Sequence, residues 1–158
     1  MFQDMNEYEE KLTQYMKEYK VEGELLSLGE SCHTVQDAAD AVGADVDEII
    51  KNICLMDSKG NFIVAIVKGA HRVSTSRVAK VLGVESTRTA TPEEILNSSG
   101  YPVGGVPSFG FEATFLVDPK VMEKEVVYSS GGSTTSLLKV ATKVLLDSNK
   151  GKLVRIRK

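Results

Sequence analysis

A chain of 158 residues, 42% hydrophobic and 26% charged, can bury roughly 70% of its unfolded surface in one core and needs no staples. A formal net charge of −3 argues against a protein wrapped by nucleic acid, and no apolar run approaches the roughly 20 residues of a membrane span. The acidic, polar start Met1-Phe-Gln-Asp-Met-Asn-Glu7 carries no secretory signal, so a cytoplasmic protein without membrane contact is expected.

Along the chain, Asn6-Glu-Tyr-Glu9 resembles a capping box, and Tyr8, Leu12, Tyr15, Met16 and Tyr19 recur at spacings of three and four. That spacing predicts an amphipathic helix over residues 6–19. A short strand is expected over 24–28. Thr34 then caps a helix whose Val35, Ala38, Ala39 and Val42 share a face, and Gly43 ends it. The apolar runs 49–56 and 62–67, joined by the turn Ser58-Lys-Gly-Asn61, read as a β-hairpin.

Ser74 opens a further helix ending at Gly83, and Thr91-Pro-Glu-Glu94 combines a cap, a proline at the first helical position and a capping glutamate. Residues 113–117, 125–128 and 153–156 read as strands. Leu138, Ala141, Val144 and Leu145 share a helical face, and Asp118-Pro119 marks a turn or helix start. Strands and helices mix without strict alternation, which predicts an α+β domain spanning residues 1–158.

Cys32 and Cys54 are too few for a disulfide framework, and with only two histidines no ligand spacing appears. Both thiols are read as packed, and neither metal nor cofactor is expected. The tail Lys150, Lys152, Arg155, Arg157 and Lys158 is locally basic, either a solvated end or a phosphate contact.

Three segments depart from ordinary packing. In the run 49–56, period-two geometry puts Ile49, Lys51, Ile53 and Leu55 on one face and Ile50, Asn52, Cys54 and Met56 on the other. If both faces are covered, Lys51 needs a counter-ion, a ligand or an exit to solvent. The stretch Gly100-Tyr-Pro-Val-Gly-Gly-Val-Pro-Ser-Phe-Gly110 fixes its backbone with glycine and proline. It serves either as a connector or as a frame presenting amides to a ligand. Tyr128-Ser-Ser-Gly-Gly-Ser-Thr-Thr135 breaks a strand, as a turn would.

Taken in order, the Lys51-Asn52 strand, the Leu82-Gly83 helix end, the Thr91-Pro-Glu-Glu94 helix, the Gly104-Gly-Val-Pro107 loop, Asp118 and the Ser130-Gly-Gly segment resemble the YbaK-type deacylases. These include the editing domain inserted into bacterial prolyl-tRNA synthetases and its free-standing relatives. The resemblance covers residues 20–158 and implies an α+β fold with a mixed, partly barrel-like sheet flanked by helices. It implies hydrolysis of the ester joining a wrong, small amino acid such as Ala, Cys, Ser or Pro to the 3′ acceptor end of a tRNA.

By the same resemblance, Lys51, Gly104 and Gly105 would be catalytic. Asn52, Gly100, Val106, Pro107, Ser108, Phe109, Gly110, Ser130, Gly131, Gly132 and Ser133 would bind the aminoacylated terminal adenosine. The relatives that remove alanine carry a histidine in the segment that here reads Ser129 to Ser133, so the acyl group stays open. Partners would be aminoacyl-tRNA and, in some settings, an aminoacyl-tRNA synthetase, for a monomer or homodimer. A non-catalytic module binding aminoacyl-tRNA or a synthetase is the alternative. No Ser-His-Asp set or reactive cysteine motif is present, so a site built from backbone amides and Lys51 is expected rather than an acyl-enzyme.

Overall fold

The structure, a computed structural model, describes residues 5–158. The N-terminal helix α1 (Glu7–Glu18) begins where Asn6 Oδ1 accepts the Glu9 amide at 2.8 Å. It buries Leu12 and Met16 completely or nearly so and leaves Tyr19 exposed. Only half of the expected capping box forms. The Glu9 side chain turns inward instead of back to Asn6, and its carboxyl group accepts hydroxyls from Ser27 and Ser133, both at 2.7 Å.

The elements that follow are β1 (Glu24–Ser27), α2 (Val35–Val42), a 3-10 turn (Val46–Glu48), β2 (Ile50–Asp57) and β3 (Phe62–Lys68). Next come α3 (Thr75–Leu82), β4 (Thr87–Thr89), α4 (Pro92–Ser99), β5 (Thr114–Val117) and a second 3-10 turn (Pro119–Glu123). The chain closes with β6 (Val126–Ser130), β7 (Ser136–Ala141), α5 (Thr142–Asn149) and β8 (Lys152–Leu153). The caps expected at Thr34, Ser74 and Thr91 each accept an amide three residues on, and Gly43 and Gly83 end their helices with φ of 66° and 68°.

The α+β class holds, but the strands form two open sheets and no closed barrel: β1-β7-β6 and β4-β2-β3-β5-β8. β2 and β3 form the expected hairpin, with Lys51 opposite Val67. β3 then runs parallel to β5, and β5 to β8. A bridge between Ile49 and Tyr128 joins the sheets where β2 passes β6. The larger sheet is covered on both sides. Ile50, Cys54, Val64 and Ile66 face the main core with Leu12, Phe109 and Leu138, while Leu55, Ile63, Ala65 and Val67 pack under Val78 and Ile156.

Two expectations need correction, and one strand had not been expected. Leu138 belongs to β7, not to a helix, because its alternation with Leu137 is used to pair with both β1 and β6; the helix starts only at Thr142. The last strand stops at Leu153, and Ile156 is buried through bonds to Asp118 instead of a ladder. The segment 87–89, too short to carry a pattern, pairs with the hairpin edge as β4. Of the described helices, none is long and apolar enough to cross a membrane.

Candidate functional site

A cavity of about 330 Å³ opens where the N-terminus of α2, the first half of β2, the glycine-rich loop and the β6 end converge. Its wall is mostly apolar, from Val35, Ala38, Ile50, Ile53, Ile95, Val103 and Leu137 among others. Its polar lining comes from His33, Thr34, Lys51, Asn52, Thr89 and Ser130, with Cys32, Cys54, Gly104 and Val106 also on the wall. Among the described residues, no carboxylate lines it.

β2 delivers both polar residues that its apolar pattern made conspicuous. Lys51 is half-buried, and among the described residues its ammonium has neither a hydrogen bond nor a carboxylate partner. Nearby cations differ. Lys68 is neutralised by Glu123 at 2.8 Å, and Arg157 by Asp118 at 2.8 Å. Burial, and then the positive charge of Arg72, lower the pKa of Lys51. A half-desolvated, unpaired ammonium is primed for an anionic or strongly dipolar guest.

Asn52, on the opposite face of the strand, has its amide committed. Its Nδ2 donates to the Val106 carbonyl at 2.9 Å and to Ser129 Oγ at 3.0 Å, while Oδ1 accepts from Ser108 Oγ at 2.8 Å. Ser108 and Ser129 also share a 2.8 Å bond, and Asn149 Nδ2 donates to the Ser108 carbonyl at 2.9 Å. The function of this network is to clamp the loop against β2 and β6. Asn52 thus ties the Val106 carbonyl to β2 while also lining the cavity.

Within the loop, Gly105 N–H donates to the Pro102 carbonyl at 3.0 Å, closing a turn in which Gly104 holds φ of 83°. The amides of Gly104 and Val106 donate to no group of the protein among the described residues, and both residues line the cavity. Residues with two unspent donors thus line the same cavity as an unpaired cation, and donors aimed at a developing oxyanion stabilise it.

The cavity brings together Lys51, Asn52, Gly104, Val106 and Ser130 of the residues singled out from sequence. The rest lie behind or away from it. Gly105, Gly131, Gly132 and Ser133 form the backing of the loop: Gly132 packs on the Tyr8 carbonyl of α1, and the Ser133 hydroxyl bonds Glu9. Pro107, Ser108 and Phe109 are buried, with the Phe109 ring 6.0 Å from Tyr15. Gly110 faces the Tyr15 ring, and Gly100 ends α4, its carbonyl accepting from Lys11 Nζ at 3.2 Å.

Cys32, His33, Thr34, Thr89, Ile95 and Val103 also line the cavity but were not singled out as site residues. Thr34 stood out only as a helix cap, and no local pattern links His33 to a strand nearly twenty residues later. Burial pushes the Cys54 thiol up to about 12. Burial first, then the charges of Glu30 and Asp37, raise Cys32, so neither cysteine is set up as a thiolate nucleophile.

Comparison with known proteins supplies the remaining observation. The model of the aminoacyl-tRNA editing domain family matches residues 29–148. The uncharacterised protein YwhH of Bacillus subtilis is 22% identical over 133 residues, covering 83% of this chain and 84% of that protein. A proline–tRNA ligase of Trichlorobacter lovleyi is 29% identical over 84 residues, which are 53% of this chain and only 15% of the ligase. In fold, the chain matches a crystal structure provisionally described as a trans-editing enzyme for prolyl tRNA synthetase, with a TM-score of 0.91 and 24% identity over 98% of this chain and 99% of that one.

Proposed function

This chain belongs to the aminoacyl-tRNA editing domain family, and from that premise we propose that it is a deacylase acting in trans on mischarged tRNA. The observation that carries the reading is the composition of the cavity: an unpaired Lys51 and the free amides of Gly104 and Val106 on residues lining one mostly apolar space, with no carboxylate among the described residues.

An aminoacyl ester is already activated, so hydrolysis needs a positioned water and stabilisation of the tetrahedral oxyanion. Removing a single oxyanion donor costs about 3 to 4 kcal/mol in other enzymes. Gly104 and Val106 N–H would supply that stabilisation. Lys51 would hold the terminal phosphate or the acyl carbonyl as a cation. With no acid on the wall among the described residues, a cationic amino acid side chain would find no partner, and the mostly apolar lining suits a small uncharged acyl group. Exclusion of larger ones by wall contact is the stronger device, since a single methylene discriminates by only about 1–3 kcal/mol in binding.

The test is ester loss from a panel of mischarged tRNAs, covering alanyl, cysteinyl, seryl and prolyl esters, with the wild type and Lys51→Ala. The wild type is expected to clear at least one ester and Lys51→Ala none, with unchanged melting temperature. A fully active Lys51→Ala overturns the assignment of this cavity. A wild type inert on the whole panel would instead favour a module that binds aminoacyl-tRNA or a synthetase without chemistry.

A further inference from the structure

Glu9, in the first turn of α1, is only 2% exposed, and among the described residues no cation pairs with it. Its partners are two hydroxyls from different parts of the smaller sheet. Ser27 Oγ on β1 donates to Oε1, and Ser133 Oγ in the β6–β7 turn, residues 131–135, donates to Oε2, both at 2.7 Å. For stability alone, an apolar side chain of the same shape packed against apolar neighbours can serve as well. What the carboxyl adds is direction, because each of its oxygens requires a donor at one place.

The Ser133 hydroxyl has one proton. Given to Glu9, it leaves Oγ to accept from Ser136 Oγ at 2.8 Å and from the Thr135 amide at 3.2 Å. Ser136 stands opposite Ser27 in the β1–β7 ladder, so the four side chains tie the turn to α1 and β1 together. That turn backs two walls of the cavity. A Cβ on Gly105 would lie 2.7 Å from the Gly132 carbonyl and 2.8 Å from the Ser133 amide nitrogen, and one on Gly104 would meet Thr134 Cγ2 at 3.0 Å. The Thr134 carbonyl accepts the Cys32 amide at 2.7 Å. On the α1 side, a Cβ on Gly132 would lie 2.9 Å from the Tyr8 carbonyl oxygen. Gly104 and Cys32 line the cavity, whereas Glu9 lies behind it.

We propose that Glu9 is a positioning residue of the deacylation, a role that rests on the deacylase reading above: through Ser133 it holds the turn that supports the loop carrying the free Gly104 and Val106 amides. Donors to an oxyanion act by being fixed before the reaction begins. Here the fixing passes through backbone, since Gly132 and Gly105 have no side chain to absorb a displacement of the turn.

The experiment measures single-turnover deacylation of the best mischarged tRNA, with rate and half-saturation read separately, for wild type, Glu9→Gln, Glu9→Met and Ser133→Ala, each well below its melting temperature. Glutamine keeps both contacts with one bond reversed, and methionine fills the space without them. A displacement of about 1 Å caused far from the chemistry can cost about 100-fold, so Glu9→Met should lose at least about 10-fold in rate with half-saturation changed no more than a few-fold. Glu9→Gln should keep most of the rate. Ser133→Ala cuts the same link from the other end, and its double variant with Glu9→Met should be little slower than either alone. Asp118→Asn, which loosens the fold at Arg157, controls for lost stability and should keep its rate. Should Glu9→Met fail to fold, Ser133→Ala decides. The positioning role is overturned, with the deacylase reading intact, by an active wild type and any of four results: full rate in Glu9→Met or Ser133→Ala, losses that multiply in the double variant, a Glu9→Gln no faster than Glu9→Met, or an equally slow Asp118→Asn. A wild type inert on every ester overturns the deacylase reading itself, and this role with it.

Discussion

Gly105 and Gly132 meet backbone to backbone: a Cβ on Gly105 would lie 2.7 Å from the carbonyl carbon and oxygen of Gly132. The contact presses the glycine-rich loop onto the β6–β7 turn and leaves no room for a methyl group. Gly105→Ala must therefore shift backbone, not a flexible side chain. Overpacking of this kind costs about 1–3 kcal/mol, and chemical denaturation should report a loss in that range. Deacylation should fall with it, because Gly104 and Val106 flank the displaced residue. An alanine variant with wild-type stability and rate would mean that the loop is not held by this contact.

Asn52→Ala removes three hydrogen bonds at once and leaves the Ser108 hydroxyl and the Val106 carbonyl with fewer partners. Orphaned buried polar groups cost about 1–3 kcal/mol, so a lowered melting temperature is expected together with a reduced kcat. If Asn52 held substrate directly and had no part in the clamp, KM alone would rise and stability would stay constant; thermal melts beside steady-state kinetics separate the two.

Asp118 predicts how the fold responds to acid. Burial by itself would raise its carboxyl, but the amides of Lys120, Ile156 and Arg157 and the Arg157 guanidinium outweigh it and hold the pKa below the usual value. A group depressed in the folded state stabilises above its unfolded pKa of about 3.9, and that contribution is lost as pH falls through the lower folded value. Unfolding free energy should therefore drop from about pH 4 downward. Asp118→Asn should be less stable at neutral pH and should flatten this slope in pH-dependent denaturation; an unchanged slope would remove Asp118 from the explanation.

The basic tail divides into structural and free charges. Arg157 is spent on Asp118, whereas Lys150 and Lys158 are exposed and have no ion pair among the described residues. Reversing Lys150 and Lys158 to glutamate should raise KM alike for all mischarged tRNAs and reduce the salt dependence of binding, while sparing the single-turnover rate. Reversing Arg157 should instead unfold or destabilise the protein. A tail reversal that changes which ester is cleaved would contradict a phosphate role.

The sequence made the local features readable and the tertiary convergence opaque. Caps at Thr34, Ser74 and Thr91, the hairpin at 58–61 and the polar intruders Lys51 and Asn52 follow from short-range chemistry, and each appears where expected. Leu138 was misread because Leu138, Ala141, Val144 and Leu145 fit a helical face across a strand-to-helix junction, and pairing with two neighbours overrode that period. Glycine marks two different demands, close approach to a guest and close approach of backbone to backbone. Nothing in the sequence distinguishes Gly104, on the cavity, from Gly105 and Gly132, on its back.

The buried carboxyl of Glu9 lies outside the stretch 29–148 by which the family is recognised, and so do Ile156 and Arg157, which satisfy Asp118. The recognisable signature and the cooperative unit thus have different borders. Excising the signature alone would take the Glu9 acceptor from the Ser133 hydroxyl at one edge and the Ile156 and Arg157 donors from Asp118 at the other. Any transplant of this editing-domain frame into a longer polypeptide must carry both flanks along, or rebuild their two anchors in the host.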